Sequence, residues 1–460
     1  MPKSKPSVEQ KANIFVGKFP NEFILNSSKE LFCKFCITAV KCDKEQNVEQ
    51  HRKSKKHSSF LECSPKQPKL AAENESGEML FSERVTNAFL AADIPLKKLQ
   101  NPNLRQLFQS MNHPLPSEST CRNNVEKIHN KIINQVKNII KNKKIFIIFD
   151  ETTIGKNSYS HTLIGTVNNA SQTYLVECEP LHQSLNAAKV CQMIDSTIKF
   201  FEIKRENFCL LLSDAARYMV SAGESLKIFY PDLFHVTCIA HLFHNCCLKI
   251  RSNFSNVDKI IATVKSATVR NRERRNLFKN IGYPPEPVLT RWGSWLKAAF
   301  YYAKNINEIE EIFKSIESNG KLIRNVKEAL NDSNLRKDLK NIFSCYQSLR
   351  ESVELSECES FTISQSSKIL ASLDFKEDPC QIRKYIDKRL EMNEIKHILE
   401  MKNVNITPET YSKLQECQAT SCSVERTFSV LNKILAKDRN FKTCNIKYYV
   451  IVKCNSSLLQ

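Results

Sequence analysis

From residue 81 the apolar positions recur at helical spacing. Phe81, Val85, Phe89 and Leu90 form one stripe, Pro95 breaks it, and Leu104, Leu107 and Phe108 form a second. Over 144–149, KIFIIF, the pattern changes: Lys144 leads into five apolar residues in a row, Ile145 to Phe149, which read as a buried strand aimed at Asp150 and Glu151. Segments 160–167 and 173–178 predict two further strands, set off in hairpins by turn residues at Gly155–Asn157 and Asn168–Asn169. A helical stripe follows at Ala187, Val190, Ile194, Ile198 and Phe201. FCLLLSD then predicts a fourth strand over 208–212 leading to Asp214, and LFHVTC a fifth over 233–238. Residues 251–415 carry amphipathic helical patterns almost throughout. The last clear helix presents Val424, Phe428, Leu431, Ile434 and Leu435 on one side, with Glu425 in its first turn.

The order β-β-β-α-β-α-β-α has a chemical consequence. Three antiparallel strands followed by alternating units form the ribonuclease H-like pattern, in which the fourth strand lies parallel to the first. Parallel neighbours sit about 4.8 Å apart, so Asp150 and Asp214 are expected at the same end of the sheet. Two carboxylates that close repel unless a cation lies between them. The pair is therefore a candidate Mg²⁺ or Mn²⁺ site. Such a site usually wants a third carboxylate, for which Glu425 is a candidate, although on composition alone it reads as a solvated helix-start acid. Two ions about 3.5–4 Å apart would clamp the attacking and leaving oxygens of a phosphodiester.

Composition narrows the partner. The formal charge of +19 favours a polyanion, most often nucleic acid. Only 8 glycines in 460 residues argues against glycine-rich phosphate loops and favours helix. No run of 18 apolar residues occurs, so no membrane partner is expected, and MPKSKPSVEQ lacks the apolar stretch of a secretory signal. The 18 cysteines are scattered, which suits a reducing compartment where thiols stay free or bind metal.

Four residues near the N-terminus match zinc spacing. Cys33 and Cys36 form C-x2-C, and His51 and His57 follow as H-x5-H. Two thiolates and two imidazoles close a tetrahedral, structural Zn site. Residues 1–70 hold 13 Lys and 1 Arg against 7 acids. Arg52, Lys53, Lys55 and Lys56 stand between the two histidines, where a finger helix would offer cations to DNA phosphates.

The finger together with FLAADIPLKKLQNPNLRQLFQSM resembles the CGG triplet repeat-binding protein over roughly residues 25–135, which implies DNA binding in the nucleus. The rest of the chain, about 144–460, resembles the hAT-family DNA transposases. SVERTFS looks like that family's C-terminal signature. Asp150 follows a strand as the family's first acid does, Cys238 and His241 in CIAHLFHN match a C-x2-H motif, and Arg291 and Trp292 in LTRWGSWLKA match an R-W motif. The resemblance implies a ribonuclease H-like fold interrupted by a helical insertion. Asp150, Asp214 and Glu425 would be a metal-binding DDE triad, His241 would lie near the cleaved DNA, Arg291 would mark a further DNA contact, and Trp292 would stack on a base turned out of the duplex. It implies cut-and-paste chemistry, with water and then a 3′-hydroxyl attacking phosphodiesters. His235, His244, Cys246 and Cys247 crowd near Cys238 and His241, so a second zinc site is an alternative there.

The expected fold class is therefore α/β plus α. A basic Cys2His2 finger spans 1–70, a linker 71–80, and a helical DNA-binding or dimerisation module 81–140. The first part of the ribonuclease H-like core spans 141–250, an all-helical insertion 251–415, and the final helix with a dimerisation region 416–460. Relative to typical hAT members the insertion is compact, and the finger lacks the aromatic pair of BED-type fingers. Two function classes follow: a metal-dependent transposase, or a catalytically silent zinc-dependent nuclear protein that binds double-stranded DNA, dimerises through its C-terminus and regulates transcription. A bare interaction scaffold built on the helical region is a third.

Overall fold

The computed structural model describes residues 8–459 apart from 21, 26–29, 34–37, 55–56, 58–79, 289–292, 319, 359–360, 377, 392, 404 and 436–442. The chain divides into two compact units, Met1–Met79 and Leu80–Gln460. The whole is mixed α/β with a large helical share.

In the first unit, α1 (Val8–Lys18) packs on a small antiparallel sheet of β1 (Phe23–Leu25), β2 (Leu31–Cys33) and β3 (Thr38–Ala39), followed by α2 (Glu45–Arg52). α1 has no counterpart among the expected elements. Its buried residues Ala12 and Phe15 join Phe23, Leu31, Cys33, Val40, Cys42 and Val48 in one small core.

The second unit opens with α3 (Phe81–Ala91), a 3₁₀ turn over Leu96–Gln100, α4 (Pro102–Ser110) and α5 (Glu118–Ile140). The break falls where Pro95 was expected to make it. α5 begins at Ser117, whose hydroxyl accepts the Thr120 N–H, and buries Cys121, Val125, Ile128, Ile132, Val136 and Ile140 along one face. That face meets α3 and the C-terminal helix Thr443–Cys454, which also lies against the sheet. Residues 81–140 thus belong to the same compact unit as the sheet.

The sheet has five strands: β4 (Ile145–Ile154), β5 (Asn157–Thr166), β6 (Asn169–Leu181), β7 (Phe208–Ser213) and β8 (Phe234–Thr237), in the order β6-β5-β4-β7-β8. The first three are antiparallel, and β7 and β8 join in parallel. β4 is buried on both faces from Ile145 to Phe149, as its unbroken apolar run requires. It does not stop at Asp150. Pairing with β5 carries it on to Ile154, whereas its parallel ladder with β7 ends at Ile148↔Leu212. Asp150 is therefore a mid-strand residue beyond the end of the parallel ladder, and Asp214 stands at the equivalent position past β7.

α6 (Ala187–Phe200), α7 (Arg217–Phe229) and α8 (Ile239–Asn253) complete the alternating part. Gly223 of α7 lets that helix press on β8: a Cβ there would stand 2.2 Å from His235 Nδ1. The ring cannot easily retreat, because it is buried and its Nε2 lies 2.9 Å from Ser213 Oγ. Gly223→Ala is expected to lower stability by about 1–3 kcal/mol, measured by urea unfolding; an unchanged midpoint would contradict this packing. The exposed edge of β8 is closed from the helical region. Glu394 accepts the His235 N–H at 2.6 Å, and Asn393 donates to the Thr237 carbonyl at 2.8 Å.

Among the described residues, the stretch from Ser255 to Gln415 is a succession of helices joined by turns, the longest Ser294–Lys314. Helix Cys422–Ile434 then returns to pack across β4, β5 and β6. Among the described residues no helix is long and apolar enough to cross a membrane.

Candidate metal centres

In the first unit, Cys33 on β2, His51 in the last turn of α2 and His57 beyond its end form one group, their ligand atoms all within 4.8 Å of one another. Cys33 Sγ lies 3.5 Å from His57 Nδ1, and both residues are fully buried. A tetrahedral ion with ordinary Zn–S and Zn–N bonds sets its ligand atoms about 3.3–3.8 Å apart, a range that holds the Cys33–His57 pair, and a thiolate with two imidazoles is a donor set suited to zinc. The other nitrogen of His57 lies 3.3 Å from Glu22 Oε2. Glu22 is held by two hydrogen bonds from Arg52, at 2.8 and 2.9 Å, which keep its carboxyl below the usual carboxylate range despite partial burial. A carboxylate behind a metal-binding histidine fixes its tautomer and orientation.

That arrangement changes the reading of Arg52. Its guanidinium is committed to Glu22 and stacks 3.9 Å from the centroid of Phe19, so it braces the candidate zinc group rather than reaching freely for phosphate. Lys53 is exposed and available. Cys36, Lys55 and Lys56 lie outside the described residues. Sequence reasoning missed Glu22 altogether, since a single acid 35 residues before His57 carries no spacing signal.

The second unit brings Asp150, His241 and Glu425 together, with one ligand atom from each within 4.8 Å of the others. The convergence follows from where the elements begin. α8 starts at Cys238, directly after β8, and the Ile239 N–H donates to the Ala419 carbonyl at 3.0 Å. That bond ties the segment leading into helix Cys422–Ile434 to the start of α8. The helix buries Val424, Thr427, Phe428 and Leu431 against the sheet, which leaves Glu425 at the margin of that stripe, beside Asp150 and His241.

Asp150 is 4% exposed. Its Oδ1 accepts the Glu151 N–H at 2.8 Å, while Oδ2 is buried with no hydrogen-bond partner among the described residues. Burial pushes its pKa up to about 7. His241 opposes the rise, and Asp214 and Glu425 add to it. Burial also raises Glu425, against the influence of His241. A buried carboxylate oxygen without a donor is the atom a cation would satisfy. Oxygen donors from Asp150 and Glu425 suit a hard divalent ion such as Mg²⁺. Asp214 is not one of the three-residue group. It lies close enough to act electrostatically on Asp150, and its Oδ1 accepts the Ala216 N–H at 3.1 Å.

His241 Nε2 lies 3.9 Å from Glu425 Oε1, and its Nδ1 lies 3.4 Å from Ser421 Oγ. Burial disfavours its charge, but Cys238, Asp150 and Glu425 outweigh burial and hold its pKa up at about 10. The Cys238 sulfur receives the Ser421 N–H at 3.2 Å and the Ser421 hydroxyl at 3.3 Å. Burial would raise this thiol; His241 and the Ser421 donors lower it. Among the described residues, His235, His244, Cys246 and Cys247 do not join a metal-binding group with this pair. Cys246 and Cys247 are core residues, and Ser213 engages His235 as noted above.

Two nearby contributors went unrecognised in the sequence. Tyr218, in the first turn of α7, donates to Glu151 Oε1 at 2.8 Å. Ser421, four residues before Glu425, clamps the Cys238–His241 pair. Arg291 and Trp292 lie outside the described residues. Trp295 is buried, donates to Asp258 at 2.9 Å and lines a cavity of about 330 Å³.

No protein-family profile matches the sequence, and no curated protein matches it.

Proposed function

We propose that this chain is a hAT-type transposase, or a nuclear DNA-binding protein derived from one, built on a ribonuclease H-like fold with an N-terminal zinc finger. The observation that carries the reading is the meeting of Asp150 and Glu425, from opposite sides of the helical region in sequence, around a buried carboxylate oxygen that has no donor among the described residues.

Asp150, Glu425 and the adjacent Asp214 would hold Mg²⁺ or Mn²⁺. A bound divalent ion would supply Lewis-acid stabilisation of charge developing on the phosphodiester oxygens. Asp150 positions its carboxylate from a strand fixed by two neighbours, so the site needs little reorganisation. His241, held protonated, presents a positive charge beside the place where a scissile phosphate would lie. The Cys238–Ser421 clamp fixes the direction of that charge. In the first unit, Cys33, Cys36, His51 and His57 would hold Zn²⁺, and Lys53, Lys55 and Lys56 would meet DNA phosphates. The partners are double-stranded DNA and a second copy of the chain joined through the C-terminal region.

The test is strand cleavage of duplex DNA bearing the inverted repeats that flank the coding sequence. Wild type with Mn²⁺ is expected to nick the DNA, and Glu425→Gln to fall by at least about 100-fold. Equal inertness of both proteins under Mg²⁺ and Mn²⁺ would remove the enzyme reading.

A specific observation supports the silent alternative. The His241 imidazolium already stands against the carboxylates, so the cluster holds a balancing charge without any metal. A protein of that kind would bind DNA and regulate transcription without cutting.

A further inference from the structure

Segment 270–279, RNRERRNLFK, combines a sequence bias with a rigid mount. The chain contains 49 lysines and only 19 arginines, yet Arg270, Arg272, Arg274 and Arg275 fall within six residues. A general drift toward lysine does not produce that cluster. Arginine differs from lysine in its planar fork of donors, which matches phosphate oxygens two at a time.

The segment is anchored. Phe278 is 1% exposed and packs near the Tyr283 and Phe313 rings. Thr268 Oγ1 lies 2.9 Å from the Tyr283 hydroxyl, and the Asn271 side chain caps the short helix Arg272–Asn276 by accepting the Arg274 N–H at 2.9 Å. The arginines then divide in two. Arg274 donates to the Ala267 carbonyl at 2.9 Å, and Arg275 stacks 4.9 Å from the Tyr283 centroid and reaches Glu286 at 3.8 Å. Those two fasten the turn. Arg270, Arg272 and Lys279 are exposed and pair with no carboxylate among the described residues. Glu286 is taken by Lys265 and Arg275, which leaves Glu273 as the one acid within the segment. A solvated charge run has no need of a buried phenylalanine, an Asx cap and an arginine staple to hold three other cations in place.

We infer that Arg270, Arg272 and Lys279 form a preorganised ridge that grips the phosphate backbone of duplex DNA, a contact surface in the helical region separate from the finger and from the carboxylate cluster. The inference rests on the reading of this chain as a DNA-binding protein.

The experiment is fluorescence anisotropy of the full chain with a labelled duplex across a salt series. Three proteins are compared: wild type, the ridge variant Arg270→Gln/Arg272→Gln/Lys279→Gln, and a charge-matched control, Lys368→Gln/Lys384→Gln/Lys388→Gln, at exposed positions. Circular dichroism melts confirm that all three fold, and the single variant Arg272→Gln stands in if the triple variant does not. Each phosphate contact contributes about 0.9 to the slope of log affinity against log salt, so the ridge variant should lose about 2–3 in slope and about 100-fold in affinity at 0.1 M salt. The control should stay within about 5-fold of wild type. Wild-type binding with a steep slope, but equal losses in ridge variant and control, overturns the ridge and leaves DNA binding standing. Wild type that binds no duplex at all overturns the underlying reading as well. A ridge variant that loses binding to polyglutamate while keeping its DNA affinity identifies an acidic protein as the partner and also overturns the inference.

Discussion

Asp150→Asn is expected to abolish Mn²⁺-dependent DNA cleavage and, in the metal-free protein, to reduce the loss of stability with rising pH. The second effect follows from linkage. The folded chain holds the Asp150 proton up to about pH 7, while an unfolded aspartate releases it near its ordinary value of 3.8. Between those limits the folded state binds more protons than the unfolded one, so stability falls as pH rises, by about 1.4 kcal/mol per unit and up to about 4 kcal/mol in all. Below the lower limit both states are protonated and the difference vanishes. The amide that replaces the carboxyl cannot ionise, so the variant escapes this slope. A divalent ion reverses the sign for wild type, because it binds the ionised carboxylate and hence the folded state at neutral pH. Thermal melts at pH 5 and pH 8, with EDTA and with Mn²⁺, read all of this. Wild type should lose more stability than the variant from pH 5 to 8 in EDTA and recover the difference with Mn²⁺; His241, held protonated in the fold with its pKa up at about 10, gives both proteins a shared slope above its ordinary value of 6.5. Parallel pH slopes, with equal stabilisation of both by Mn²⁺, would mean that the cluster is a structural knot of acids around His241.

The apolar runs made the sheet legible, because a strand buried on both faces must be apolar throughout, and IFIIF and FCLLL are. The parallel relation of β4 and β7 followed from their order in the chain, and with it the shared sheet end for Asp150 and Asp214. What the pattern concealed was the length of β4. Asp150, Glu151, Thr152 and Thr153 look like a strand end, but the hairpin with β5 holds their backbone. Glu425 could be placed near Asp150 only through resemblance, since its helix is separated from the sheet by the whole helical region. Composition alone favoured a solvated helix-start acid. The clamp of Ser421 on Cys238 and His241, like the Glu22–Arg52 brace behind His57, depends on chain segments that approach only after folding. No local spacing encodes such contacts. The ridge at 270–279 is the opposite case: its arginines are plain in the sequence, but only the buried Phe278 and the Arg274 staple distinguish it from an ordinary charged turn.

Removing zinc is expected to unfold the first unit and leave the second intact. Among its described residues the first unit gathers eight buried apolar residues into its core, which is little for a domain of its size to stand on without a staple. Metal binding free energies for structural zinc sites run to about 10 kcal/mol or more and are spent on folding. A strong chelator should therefore leave a single thermal transition, that of the sheet unit, with residues before 80 becoming sensitive to protease while the sheet unit resists. His57→Ala should mimic chelation outright, losing bound zinc in a metal assay. Glu22→Gln provides the sharper comparison. It keeps every candidate ligand and removes only the charge behind His57, so zinc affinity should drop about 10–100-fold without vanishing. It should also release Arg52 from its pair, and DNA affinity need not fall in proportion to the zinc loss. If the first unit instead stays folded in chelator and His57→Ala melts with wild type, the Cys33–His51–His57 group is an ordinary polar core. Lys53 and its neighbours would then be presented by packing alone.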